Sequence, residues 1–434
     1  MGAFTVLRNA RIVTEKGVLR GALTMEEGLI VEVLAGEPAP RPGARVVDCG
    51  GGYLLPGLFD SHMHAVDLVE VLHGRFSLET LRFTEIDDAV PRILKRLPRL
   101  GVTSCMLSSM AAPDRLMERF LSEVKAYGAA PAPLSARLWG VDLEGNFLKD
   151  PAYSGMQDAA SVKAPDTALF DRWQGLAGGR IRKVLVAPEW GEPAFRLIGH
   201  LAERGVVPSV GHTGCTRGEL MQAYECGTRV AVHLGNGPMS QNFKGGGALD
   251  GLFALGPKVW VEIIADLRHV HPHWINTFMN GFTMERVIGV SDSTQLAGAP
   301  IKEGTVIGDT VYRDGALWST LKANTLAGSA STLDRQFRNV VNLLTGDRKA
   351  YFTPVTPAPY ALEEALPLAC AMYSLNPARC FALQDRIGSL APGKAADVVA
   401  AEITGTPGAY RLDFRTVYLG GREVPGAGDQ ASAP

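Results

Sequence analysis

Over the first 56 residues apolar and polar positions follow each other in the short period of a strand. Phe4–Val13 alternates, Glu15-Lys16-Gly17 supplies a turn, and Leu23–Leu34 holds another at Glu27-Gly28. A stretch rich in proline and glycine from Glu37 to Gly43 leads to Arg45–Asp48 and Gly50-Gly51-Gly52. After Pro56 the texture changes to short apolar runs separated by helical patterns. The runs are Leu54–Asp60, Val102–Ser108, Leu138–Glu144, Ile181–Glu189, Val207–His212, Val230–His233, Val259–Asp266 and Val287–Asp292. Most are aliphatic or β-branched throughout, as parallel strands buried on both faces are. Between them, Thr216 to Glu219 reads as a capping box that opens a helix. Strands alternating with helices eight times predict an α/β fold, a (β/α)8 TIM-type barrel.

Past the eighth run, Val311–Trp318 predicts a hairpin around Asp314-Gly315, and helices are expected over about Leu333–Leu344 and Leu362–Tyr373. Strand texture returns at Asp397–Ala400 and Thr416–Leu419. The expected organisation is a barrel over 57–385 beside a small β-sandwich domain built from both chain ends, 1–56 and 386–434. Composition narrows the function. Hydrophobic residues make up 46% and charged residues 20%, enough for a substantial core. A net charge of -2 argues against a dedicated nucleic-acid binder. No apolar stretch approaches the length of a membrane span, and the N-terminus has no basic start before an apolar run. The six cysteines lie far apart with no C-x-x-C pair, which suits a reducing, cytoplasmic setting. Small molecules remain as partners.

Metal-ligand residue types recur at the C-terminal ends of these runs. The first leads into His62-Met63-His64, and others end in Glu144, His212, His233 and Asp292. In such a barrel the strand ends converge on one pocket. His62 and His64, two residues apart in an extended segment, project to one side and can share an ion. Glu144 offers two oxygens, enough to bridge a pair of metals or bind one. His212 and His233 suit a borderline divalent ion, zinc first, with iron or manganese as alternatives. Asp292 can take a proton from water that the ion has made acidic and hand it to a leaving amine. A lone histidine is more often structural than a ligand. Here five of the nine histidines, counting His269, sit at strand ends, and that recurrence is the signal. His73, His200, His271 and His273 are read as surface or structural, Glu189 and Asp142 as supporting residues, and Cys215 as packing. Lys244, before Gly245-Gly246-Gly247, is a candidate anion contact.

Pro56-Gly57-Leu58-Phe59-Asp60-Ser61-His62-Met63-His64 resembles the first-strand motif of the amidohydrolase superfamily. The order of later motifs is similar to the N-acetylglucosamine-6-phosphate deacetylases: Asp142-Leu143-Glu144-Gly145, Gly211-His212-Thr213, His233-Leu234-Gly235-Asn236, Asp266-Leu267-Arg268-His269, Ser291-Asp292-Ser293 and Thr325-Leu326-Ala327-Gly328-Ser329. The resemblance covers nearly the whole chain. It implies amide hydrolysis with one or two divalent ions per chain, held by Glu144, His212 and His233 and by the His62–His64 pair, with Asp292 as general base and acid. It further implies that Asn236, Gly237, Leu326, Ala327 and Gly328 contact sugar and acyl group. His269 would face a phosphate together with Lys244 from the neighbouring subunit of a homodimer. The departures fall in substrate loops: Asn146 stands where the family has proline, Gln157 or a neighbour replaces a loop histidine, Gly235-Asn236-Gly237 replaces an aromatic-Asn-Ala stretch, and Lys244 stands where arginine is common. The alternatives are another amidohydrolase of the superfamily, acting on N-acyl amino acids or a cyclic amide, and a metal-free non-catalytic scaffold. Members with a carbamylated lysine usually need it at the end of the fourth run, whereas Lys183 lies near its beginning, and the intact ligand set speaks against a scaffold.

Overall fold

The computed structural model describes residues 4–236, 244–321, 325–346 and 359–426. Eight parallel strands run in sequence order around a barrel: Leu58–Asp60, Val102–Ser108, Arg137–Phe147, Ile181–Val186, Val207–Val210, Val230–Ala231, Trp260–Ile263 and Val287–Gly289. The first and eighth meet at their C-terminal ends, where the His62 carbonyl accepts the Asp292 N–H at 2.9 Å and Asp60 Oδ1 accepts that of Ser291 at 3.1 Å. Along Ile181–Val186, Val184 and Val186 join the main apolar core with helix residues such as Leu197 and Leu201. Alternation sends Lys183 and Leu185 to the other side. The helix Arg217–Cys226 opens on the expected box, with Thr216 Oγ1 accepting the Glu219 N–H and Glu219 accepting that of Thr216.

The chain ends build a separate sheet in the order Arg422–Glu423, Arg411–Leu419, Val398–Thr404, Tyr53–Pro56, Thr5–Thr14, Gly17–Glu26, Leu29–Ala35. Thr5–Thr14 divides its free edge: Thr5–Arg8 pair with Arg45–Asp48, and Arg11 and Ile12 with Tyr53 and Leu54. A bulge between Leu7 and Ala10, with Asn9 at φ +51, makes the division possible. Leu7, Ile12, Leu23, Met25, Leu54, Val398 and Tyr418 form this domain's own core.

Two expectations need correcting. The first apolar run is not one strand: Tyr53–Pro56 belongs to the terminal sheet and Leu58–Asp60 to the barrel. Gly57 separates them, in a place where a Cβ would fall 2.1 Å from Thr103 Oγ1. Uninterrupted apolar character hid the division, because both halves are buried. The second difference is an antiparallel sheet, Ala65–Val66, Val69–Glu70, Gly74–Ser77 and Arg82–Thr84, inserted before the first barrel helix. It packs through Phe76 against Leu317 and Leu296, near the hairpin Thr310–Arg313 and Ala316–Ser319. That hairpin turns at Asp314-Gly315 as expected, both at positive φ, and gains a third strand, Val306–Ile307. No helix among the described residues is long and apolar enough to cross a membrane.

Candidate active site

The ligand-type residues named from the sequence come together at the C-terminal mouth. His212 and His233 lie two residues past their strands, Asp292 three residues past its own, and each is at positive φ: +46, +27 and +45. Left-handed backbone at bulky residues is strained and collects at functional sites. Here the turns bring the side chains over the barrel axis. Glu144 stands at the centre. Its Oε1 lies 3.1 Å from His212 Nε2 and 2.8 Å from His233 Nε2, and its Oε2 lies 3.2 Å from His64 Nε2 and 3.6 Å from His62 Nε2. Asp292 Oδ1 is 3.1 Å from His64 Nε2.

The outer nitrogens decide what the inner ones can do. Nδ1 of His64 donates to the Ser108 carbonyl at 3.1 Å, Nδ1 of His212 to that of Tyr153 at 3.0 Å, and Nδ1 of His233 to that of Asn236 at 3.2 Å. A carbonyl can only accept, so Nδ1 keeps its proton, and in the neutral form of each ring, the form that binds a cation, the lone pair is on Nε2 and points toward Glu144. His62 Nδ1 meets Glu262 Oε2 at 3.1 Å, and its Nε2 is buried with no hydrogen-bond partner among the described residues. His62, His64 and Glu144, and Glu144, His212 and His233, form two groups whose donor atoms lie within 4.8 Å of one another, sharing the glutamate. Nitrogen lone pairs around a shared carboxylate fit one or two borderline divalent cations. Burial opposes charge on Glu144, yet the imidazoles of His62, His212 and His233 hold its carboxyl well below the usual range. Asp292 is buried too, and His64, His62 and His233 bring it to about 2, so it is ionised at neutral pH.

Beneath this layer lies a group that sequence reasoning missed. Lys183, fully buried, reaches Glu262 and sits 3.1 Å from Asp142 Oδ2. Its charge is maintained by these two acids against the effect of burial. Asp142, expected to support Glu144, accepts from Ser108 Oγ at 3.0 Å and lies 3.4 Å from His62 Nδ1 instead. Residues 142 and 144 share one face of their strand, and 142 is one layer deeper. Lys183 and Glu262 fell inside apolar runs, where a charged residue has no partner visible in the sequence. Glu189 does support the site, receiving the Thr213 hydroxyl and the Gly214 N–H at 3.1 Å beside His212. Burial pushes the Cys215 thiol up to about 12, consistent with packing.

A cavity of about 950 Å³ opens above the site. Of the expected substrate contacts, Asn236, His269, Leu326, Ala327 and Gly328 line it, Gly237 falls outside the described residues, and Lys244 is exposed and not part of this wall. Gln157 is in the wall, its Oε1 accepting the Ala111 N–H at 2.8 Å. The inserted sheet and the hairpin add Phe83, Leu317 and Trp318. His73, read as surface or structural, is a wall residue held by Glu70 at 2.7 Å, because the unforeseen inserted sheet folds over the mouth. His200 pairs with Asp171 at the surface, and His271 caps the helix Pro272–Gly281.

An eight-stranded barrel whose mouth gathers four histidines and a buried aspartate around one shared glutamate is the architecture of an amidohydrolase. The chain belongs to the Amidohydrolase family, which it matches over residues 53–422, and is accordingly a hydrolase of carbon–nitrogen bonds other than peptide bonds. It is similar to an N-acetylgalactosamine-6-phosphate deacetylase of Escherichia coli O157:H7, 29% identical over 92% of this chain and 95% of that one. An N-acetylglucosamine-6-phosphate deacetylase of Bacillus subtilis (strain 168) is 27% identical over 92% of this chain and 93% of its own. Among solved structures, an N-acetyl-D-glucosamine-6-phosphate deacetylase from Mycobacterium smegmatis, in complex with N-acetyl-D-glucosamine-6-phosphate, superposes with a TM-score of 0.78 at 25% identity, over 98% of this chain and all of that one.

Proposed function

We propose that the chain is a metal-dependent deacetylase of a 6-phosphorylated N-acetylhexosamine. The observation that carries this reading is the orientation of four imidazoles, each with Nδ1 engaged and Nε2 turned to the shared Glu144 carboxylate. Glu144, His212 and His233 would hold one ion, and His62 and His64 with Glu144 a second, with zinc, iron or manganese all acceptable to such ligands. A divalent cation held there would supply an acidified water, with a pKa of about 7, and polarisation of an amide carbonyl. Asp292 takes the proton that the attacking water gives up and returns it to the departing amine, so that one carboxylate serves both transfers. Asn236, Gly237, Leu326, Ala327 and Gly328 embrace the sugar and its acyl group, and His269 faces the phosphate. Lys244, outside the wall of its own cavity, acts from the second chain of a homodimer. Six dispersed cysteines without a C-x-x-C pair suit the cytoplasm.

The test is a hydrolysis screen of N-acetylglucosamine and N-acetylgalactosamine, each with and without a 6-phosphate, alongside N-acyl amino acids. Acetate release should be fastest from a phosphorylated hexosamine, and stopped by a chelator until a divalent metal is restored. Preference for the N-acyl amino acids would overturn the reading.

A further inference from the structure

The loop after the seventh barrel strand carries a cation that has so far had no role. Asp266 organises this loop. Its Oδ1 accepts the backbone N–H groups of Arg268 and His269, both at 2.9 Å, and its Oδ2 accepts from His269 Nδ1 at 2.6 Å and Ser329 Oγ at 2.8 Å. Leu267 takes φ +66, which L-residues avoid, and its side chain packs on the main core. The loop is thus pinned from both sides, and Arg268 and His269 stand next to each other in the cavity wall.

Arg268 is the one arginine or lysine among the described residues of that wall. Its side chain is exposed, and no residue of the described chain binds its guanidinium. The neighbouring imidazole is buried, with Nε2 lacking any hydrogen-bond partner. Burial opposes charge on that ring, but Asp266 against Nδ1 outweighs it and raises the pKa. A guanidinium fork with no partner in the described chain, in the same wall as the His269 ring, suits a multiply charged oxyanion. Of the carboxylates in the wall, Glu144 and Asp292 belong to the layer beneath, and Glu70 is taken up by His73 and the backbone N–H of Leu72.

We propose that Arg268 is a specificity-determining contact for the phosphate monoester of the substrate, supplied by the chain's own loop in addition to Lys244 of the neighbouring chain. The proposal rests on the deacetylase reading above and adds to it the residue that selects phosphorylated over free sugar.

The test compares wild type, Arg268→Ala and Arg268→Lys on N-acetylhexosamine 6-phosphate and on the free sugar. Arg268→Ala should raise KM for the phosphorylated substrate about 10- to 100-fold, the worth of one charge-assisted contact, with kcat nearly unchanged. Arg268→Lys should recover part of the loss, since lysine keeps the charge without the fork. Turnover of the free sugar should be the same in all three. An equal effect on both substrates, or no effect on the phosphorylated one, overturns the proposal. If wild type hydrolyses neither sugar, the deacetylase reading fails, and Arg268 is judged by calorimetric binding of inorganic phosphate. Binding tenfold weaker in Arg268→Ala supports the anion contact, and equal binding overturns it.

Discussion

Each imidazole of the site is oriented by an acceptor on its Nδ1, from another segment for His62, His64 and His212 and from the following turn for His233. For His64, His212 and His233 that acceptor is a backbone carbonyl, which no side-chain substitution removes. For His62 it is the Glu262 carboxylate, which can be changed. Glu262→Gln should therefore weaken the ion on the His62–His64 side about 10- to 100-fold, the usual cost of losing an outer-shell partner, and leave the other ion bound. Metal titration with elemental analysis reads this directly, and unchanged affinity for both ions would remove Glu262 from that role. Asp292 offers a complementary test. Its backbone is tied to His62 and Ser329, so Asp292→Asn keeps the local geometry. Turnover should fall by about 10²–10⁴-fold with metal content intact. A variant that keeps more than about a tenth of kcat would show that another group moves the proton.

Among the elements, the first barrel helix, Ala89–Arg96, depends on a residue from the next one. Glu123, in the helix Asp114–Ala129, accepts the Val90 N–H at 2.8 Å. Burial, helped by Asp88 and Asp87, pushes its carboxyl up to about 7, against the Val90 bond and Arg119. The folded protein thus holds this proton more tightly than the unfolded chain, whose glutamate titrates near 4.5. The protonated form's contribution to stability is complete below that value and is lost as pH rises through about 7. Glu123→Gln retains the acceptor without the charge, so the stability difference between variant and wild type should move in the variant's favour from pH 5 to pH 8. Denaturant melts at the two pH values measure it, and a constant difference would show that Glu123 does not titrate in this window. Helix periods and caps such as Thr216–Glu219 were legible in the sequence because they are local. The pairing of Glu123 with Val90 was not, since it joins two elements.

At the scale of the whole molecule, the test is of completion of the site by a second chain. Lys244 is exposed, and the cavity wall of its own chain does not include it. If a second copy brings it in, mixing Lys244→Ala chains with Asp292→Asn chains should restore activity on the phosphorylated sugar, because one of the two sites in each mixed dimer keeps both groups. Proven subunit exchange without recovery would leave Arg268 and His269 as the anion contacts and exclude a shared site. The inserted sheet belongs to this scale too. It carries His73 and Phe83 into the wall through Phe76 packing on Leu317, some 240 residues further along the chain. Its strands are two to four residues long, too short to register as a periodic signal.

By itself the sequence determined the barrel, the sheet made from both chain ends, and the six residues His62, His64, Glu144, His212, His233 and Asp292 as a convergent set. Their legibility has one cause: strand ends in a parallel barrel must share a mouth, so residues at the ends of apolar runs are brought together by topology alone. The tertiary structure decided what those residues face. Only packing shows that Lys183 pairs with both Asp142 and Glu262 beneath His62, that Gly57 divides an apolar run between two sheets, and that Arg268 reaches the cavity with no partner in the described chain. Charge compensation in a barrel interior is made between strands with no fixed spacing along the chain, and no pattern in one sequence records it.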